Sequence, residues 1–199
     1  MLHLGKASSK QALNIVDRPL AKARQEVPTV SLSAYAYLLS ELIQYAVDRA
    51  SNVQELEDRL DSVGYEVGTR LIERISYGEK ALKRKPEILD ILKWIHSTAW
   101  PWVFGKAADS LEHAAAAEDE FMLSDFDLLL SRFISVPKTY GGFTAGSLAA
   151  GMVRGMLASA GFPARVSAHV IEHRERPKTT LLIKFDPVVM MRQAQLERK

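Results

Sequence analysis

The stretch SLSAYAYLLSELIQYAVDRA, residues 31–50, sets the terms for the fold. Thirteen of its twenty positions are apolar or aromatic. Its polar residues Ser33, Ser40, Glu41, Gln44 and Asp48 fall along one narrow stripe of a helix. A helix at the edge of a monomer needs an apolar stripe only about 100° wide. This helix is apolar around most of its circumference, so it has to be covered on two sides.

Immediately downstream, Ser51-Asn52-Val53-Gln54 reads as a capping box that starts a second helix. Val53, Leu56, Leu60, Val63 and Val67 follow at steps of three and four, and Leu71 and Ile75 continue the seam. Glu55–Arg59 and Glu66–Arg70 are i,i+4 pairs on the polar face. Gly64 and Gly68 stand one turn apart inside this helix. Each costs about 1 kcal/mol relative to Ala, a cost that points to another backbone passing close by.

Further along, GEKALKRKP (78–86) is a charged connector. Pro86 suits the first turn of a third helix carrying Ile88, Leu89, Ile91, Leu92, Trp94 and Ile95, and Pro101 is expected to break it. After an aromatic segment, Trp100–Phe104, a further helix is expected from Lys106 to about Ala116. Phe121–Ser124 reads as a short strand, Asp125–Arg132 as a helical turn and Phe133–Val136 as a short extended piece. Ser147–Ala160 is a helix ended by Gly161 and Pro163. Ala164–Glu172 and Thr179–Phe185 both alternate, so they form an antiparallel hairpin around the charged loop 173–178. Asp186 and Pro187 open a last helix. Helices first, then strands mixed with helices, predict an α+β fold: helices packed on one face of a small antiparallel sheet. Residues 1–30 are a polar arm, partly ordered, with a short helical turn near Gln11–Val16; residues 31–199 form a single domain.

Bulk composition narrows the function. The chain has 199 residues, a net charge of +2, 47% hydrophobic and 25% charged residues, which is ordinary globular usage. Lys and Arg are spread along the chain beside Asp and Glu, unlike the gathered basic surface of a nucleic-acid binder, and no nucleic acid is expected as a partner. There is no cysteine, which excludes disulfides, thiolate nucleophiles, cysteine-ligated zinc and S-acylation. No continuous apolar core marks a signal peptide and no run is long enough to span a bilayer, so a cytoplasmic location is expected.

Candidate chemistry fails residue by residue. Gly141 and Gly146 have P-loop separation, but Ser147 and Leu148 stand where Lys and Ser/Thr are required. Ser147, Gly151, Gly155 and Ser159 recur every four residues instead, a flat helix face able to lie close against the sheet. His169 and His173 are four apart, a ligand spacing on a helix, but on a strand they stand roughly 13 Å apart. His3, His96 and His113 lack partners at useful spacing, and no Ser occupies a nucleophile elbow. No catalytic, cofactor or metal residue is assigned. Trp94, Trp100, Trp102 and Phe104 either fill the core or line an apolar ligand pocket, and Lys80, Lys83, Arg84 and Lys85 either form a solvated face or meet anionic lipid.

Six segments together resemble the Bet-three family of small TRAPP (transport protein particle) subunits. GYEVGTRLIERI (64–75) is similar to the glycine-spaced helix motif of the whole family. VSLSAYAYLLSELIQY (30–45), FGKAADSLEHA (104–114), ISVPK (134–138), SLAAGMVRGMLASAGFPARVSAH (147–169) and TTLLIKF (179–185) resemble its subunit-five branch. The resemblance implies helices over one side of an antiparallel sheet. It implies pairing with a Bet-three-like subunit through the first two helices, and contact with a sedlin-like subunit at the other end. It implies a complex with other TRAPP subunits that tethers vesicles and drives GDP release from a Rab GTPase, peripheral to Golgi and endoplasmic reticulum membranes. The chain would supply scaffold and no substrate chemistry. The pairing surface is then expected at Tyr35, Leu38, Leu39, Leu42, Tyr45, Leu56, Leu60, Val63, Val67 and Leu71. The family's founding member carries an acylated cysteine; the matching stretch near Lys83–Lys85 has none. The alternative is a ligand-sensing module of the same fold, with segment 94–104 lining a pocket for a small apolar molecule.

Overall fold

A computed structural model describes residues 30–78, 86–115, 117–172 and 177–197. All but the last residue of the N-terminal arm, all but the ends of the 78–86 connector, the Lys80–Lys85 cluster, the stretch near Lys83–Lys85 and His173 lie outside the described residues.

Helix α1 spans Leu32–Val47. The Ser31 side chain caps it by accepting from the Ala34 N–H. Helix α2 spans Val53–Gly78. Its cap falls one residue later than the sequence suggests. Asn52 Oδ1 accepts from the Glu55 N–H at 2.8 Å, and the Glu55 carboxylate reaches back to the Ser51 N–H and hydroxyl at 2.9 and 2.7 Å. Glu55, not Gln54, closes the box because its two acceptor oxygens can serve both Ser51 donors and Arg59.

The third helical segment runs through Pro101 instead of stopping there. Helix α3 (Ile88–Trp94) passes into a π turn at Ile95–Ala99 and on into α4 (Trp100–Phe104). The wider turn lies just ahead of a residue that lacks an N–H and crowds the preceding turn. The helical run ends at Gly105, φ +80°, whose N–H bonds the Pro101 carbonyl at 2.8 Å.

The helix expected over Lys106–Ala116 is absent. Strand β1 (Ser110–His113) stands there instead, paired antiparallel with β2 (Glu120–Asp125). Phe133–Val136 forms no strand, and a short 3₁₀ turn at Lys138–Tyr140 leads to helix α5 (Gly146–Ser159). Strands β3 (Ala164–Ile171) and β4 (Lys178–Phe185) form the expected hairpin, and α6 (Pro187–Glu197) follows. The sheet is wholly antiparallel in the order β1-β2-β4-β3. The fold is α+β, as the pattern of elements predicts.

Alternation sets the two faces of the sheet. Phe121, Leu123, Val166, Leu181, Ile183 and Phe185 are buried in the core. Their neighbours Glu120, Arg165 and Lys184 point to the wetter face, where Lys184 bonds Glu120 at 2.8 Å. Helix α5 lies against the hairpin: a Cβ added at Gly146 would approach Ala168 Cβ to 3.2 Å.

The flat face of α5 turns to α2 and not, as expected, to the sheet. A Cβ on Gly64 would lie 2.2 Å from the Leu148 carbonyl oxygen, and one on Gly155 would lie 2.3 Å from that of Tyr65. These are backbone atoms and cannot step aside. The two helices therefore cross with their main chains nearly in contact, and glycines on both sides make this possible. Asp61 and Arg154 clamp the crossing with an ion pair, the guanidinium also resting over the Tyr65 ring at 4.4 Å. The crossing leaves the opposite face of α2 free to carry α1.

Candidate interaction surface

Helix α1 packs on the rest of the chain through one stripe only. Leu39 and Ala46 are buried, and Tyr35, Leu42, Ile43 and Val47 are half-buried against the core. Burial raises the pKa of the Tyr35 hydroxyl. The other apolar residues point outward. Tyr37 is 74% exposed, Leu38 70% and Tyr45 59%, with Leu32 at 49%. Contiguous exposed apolar side chains are a common mark of interaction sites, which makes this side of α1 a candidate surface.

The predicted surface residues separate into three groups. Leu38, Tyr45, Val63 and Val67 are exposed and line one outward face across α1 and α2. Tyr35, Leu42 and Leu71 are half-buried at its border. Leu39, Leu56 and Leu60 are only 4%, 1% and 1% exposed, so their expected place on a pairing surface is corrected: they fill this chain's own core. Steps of three and four mark one apolar stripe on α2 but do not say which of its residues the chain itself covers: Gly64 and Gly68 meet α5, and Leu60 lies beside Leu42 and Ala46 of α1. Val63 and Val67 lie on the adjoining strip of α2 and stay 38% and 37% exposed. Tyr37 and Leu32 lie outside the expected set, although both are exposed apolar positions of α1.

Between the C-terminal half of α1 and the first turns of α2 lies a cleft of about 390 Å³, bordered by Leu42, Tyr45, Leu60 and Val63. Its rim is charged. Arg49 stacks its guanidinium 3.6 Å from the Tyr45 ring centroid, and Arg59 bonds Glu55 at 2.7 Å. The Ser51 backbone N–H, then the Ser51 hydroxyl and Arg59, hold the Glu55 carboxyl down at about 2. Apolar floor and charged rim is the layout of an interface with a desolvated centre.

The aromatic segment sits elsewhere and is largely internal. Trp94 and Trp100 are buried, and Trp100 Nε1 donates to Asp125 Oδ2 at 3.0 Å. Trp102 points outward, 6.0 Å from the Arg74 guanidinium. Among the described residues no group of three or more His, Asp or Glu is placed to hold a metal ion. His169 lies on β3, its ring bonded to the Ser167 hydroxyl at 2.8 Å. No helix of the described residues is long and apolar enough to cross a membrane.

Such a surface, on a helical pair held over a covered sheet, defines an assembly subunit. The family model described as "Transport protein particle (TRAPP) component" matches residues 35–186, and the chain belongs to that family. Relatives of the subunit-five branch are among those it matches. It is 46% identical over 188 residues to trafficking protein particle complex subunit 5 of Dictyostelium discoideum, covering 94% of this chain and all of that one. It is 38% identical over 183 residues to the human subunit 5, covering 92% of this chain and 93% of that one. Saccharomyces cerevisiae subunit 31 shares 33% identity over 121 residues, 59% of this chain and 41% of that one. Among solved structures, subunit 3 from Naegleria fowleri, covalently bound to palmitic acid, superposes with a TM-score of 0.68 at 16% identity. That match covers 78% of this chain and 95% of the other, and shows the fold.

Proposed function

We propose that this chain is a non-catalytic core scaffold of a TRAPP vesicle-tethering and Rab guanine-nucleotide-exchange complex acting in ER-to-Golgi and Golgi traffic. It is a single Bet-three-like domain over residues 31–199, preceded by the arm. Helices α1 and α2 pair it with a Bet-three-like subunit, a sedlin-like subunit docks at another surface, and the Rab GTPase is reached through the complex. The chain is cytoplasmic and meets Golgi and endoplasmic reticulum membranes peripherally, through its neighbours.

One observation carries this reading: the outward apolar side of α1 at Tyr37, Leu38 and Tyr45, continued on α2 by Val63 and Val67. Five exposed apolar side chains, with a large aliphatic side chain worth roughly 1.5–3 kcal/mol when fully buried, favour a partner over solvent. A related subunit with the same helical pair would bury them in a four-helix contact. The ligand-sensing alternative draws less support, because Trp94 and Trp100 are already packed into the core.

Co-expression with a Bet-three-like subunit, followed by size exclusion and native mass spectrometry, tests the reading. A one-to-one complex is expected. A chain that stays monomeric and ignores such a partner would sink it.

A further inference from the structure

The sheet carries a second unsatisfied boundary, unrelated to the helical pair. In the order β1-β2-β4-β3 the outer strands are β1, of four residues, and β3, of eight. Two hydrogen bonds fix which way the β3 backbone points. The Phe185 N–H donates to the Asp119 carbonyl at 3.0 Å, toward β2, and the Asp186 N–H donates to the Pro163 carbonyl at 3.1 Å, toward β3. Residues of an antiparallel strand alternate between the two sides. With Arg165 opposite Lys184 and Ser167 opposite Leu182, it is Arg165, Ser167, His169 and Ile171 that bond β4. Ala164, Val166, Ala168 and Val170 turn their N–H and C=O groups to the open side, and no strand of the described residues pairs with them.

That open side is one wall of a groove of about 1030 Å³. Helix α2 forms the facing wall and α5 the floor. The charges along it do not balance. Glu57, Asp58, Asp61 and Asp186 stand against Arg154 and Arg165, and Arg154 is already paired with Asp61. Three carboxylates are then left with one guanidinium.

Proteins usually blunt a long edge strand with charges, proline or a bulge. Here Pro163 precedes the strand and Arg165 is its one fixed charge.

We propose that β3 accepts an extended segment of a neighbouring chain as a fifth strand, and that this segment carries Lys or Arg at alternate positions facing Glu57 and Asp58. Main-chain hydrogen bonds to Ala164, Val166, Ala168 and Val170 supply the affinity, and the acidic wall selects the side chains. Four outward residues match a segment of seven, about 23 Å long.

The test uses the full chain and a labelled heptapeptide, acetyl-Lys-Thr-Lys-Val-Lys-Thr-Lys-amide, followed by fluorescence anisotropy. Two further peptides carry N-methyl groups on either the odd or the even amides. One methylation pattern removes the edge hydrogen bonds and the other faces solvent. The expected result is saturable binding of the parent peptide, with one methylated form within about twofold and the other at least about tenfold weaker. Asp58→Lys and Val170→Pro, the latter removing an outward N–H, should each weaken binding at least about fivefold with the melting temperature held. Failure of the parent to bind overturns the proposal. So does equal binding of both methylated forms, which would reduce the effect to charge attraction. If Val170→Pro fails to fold, the peptides on the unaltered chain decide alone.

Discussion

Gly151 of α5 lies flat against the backbone of Asp61 on α2: a Cβ at Gly151 would stand 2.0 Å from the Asp61 carbonyl oxygen. On an exposed helix, Gly→Ala gains about 1 kcal/mol. At this crossing the same change forces two packed helices apart. Gly151→Ala is therefore expected to destabilise the chain by about 3 kcal/mol. Gly68→Ala, whose Cβ would meet the Met152 carbonyl at 2.1 Å, should act alike. Urea unfolding followed by circular dichroism checks both. A neutral or stabilising outcome would mean that the helices do not touch there.

The buried carboxylate of Asp125 ties three parts of the fold together. It accepts from Trp100 Nε1 at 3.0 Å, from Lys106 Nζ at 2.5 Å and from the Asp127 N–H at 2.8 Å. Burial works to lower the Lys106 pKa, but the hydrogen bond and charge of Asp125 outweigh it and leave the pKa raised. Asp125→Ala strands the buried Trp100 indole N–H and removes one partner of the half-exposed Lys106, and is expected to cost about 2–3 kcal/mol. Asp125→Asn keeps one acceptor and should cost about half as much. Thermal unfolding gives the magnitude, and a shift in Trp fluorescence reports the lost indole bond.

The α2 cap is expected to be acid-sensitive in a defined window. The Glu55 carboxyl is depressed from 4.5 to about 2, first by the Ser51 N–H. A depressed carboxyl contributes stability that is full above its unfolded value and lost as pH falls through its folded one. The cap should therefore hold above pH 4.5 and loosen between pH 4.5 and 2. Hydrogen exchange at the Ser51 and Glu55 amides, read by NMR across that range, checks it. Glu55→Gln should flatten the dependence.

Those three sites differ in how visible they are in the sequence. The Gly64/Gly68 and Gly151/Gly155 spacings announce a close approach, but spacing does not name the partner, and the partner is the other helix. The β3–β4 hairpin is legible because eight-residue strands complete several alternations. Strand β1 is not. It has four residues, none fully buried, beside a run of alanines that favours helix, and only pairing with β2 makes it a strand. Pro101 misleads for a related reason: a breaker ends a helix unless a wider turn absorbs it, and local sequence does not encode that turn. On the proposed pairing surface, periodicity finds apolar stripes but not their direction. Leu56 and Leu60 therefore look equivalent to Val63 and Val67 until the neighbouring elements are in place.

That distinction supplies the sharpest mutational contrast. Leu38 is 70% exposed and Leu60 1%. A charge at Leu38 stays in water in the free chain, so Leu38→Asp should change stability by less than about 0.5 kcal/mol. In a paired state the same carboxylate would be buried without a partner, at a cost of several kcal/mol, or a loss of affinity of at least about a hundredfold. Tyr45→Asp should behave similarly, with a further loss because Arg49 rests on the Tyr45 ring. Leu60→Asp instead puts the charge inside the chain and should unfold it whether or not a partner is present. Melting curves of the free variants, read beside co-purification with a Bet-three-like subunit, separate the two behaviours. Intact folding with lost pairing at Leu38, against lost folding at Leu60, is the expected pattern. Retained pairing by a folded Leu38→Asp chain would move the interface off α1.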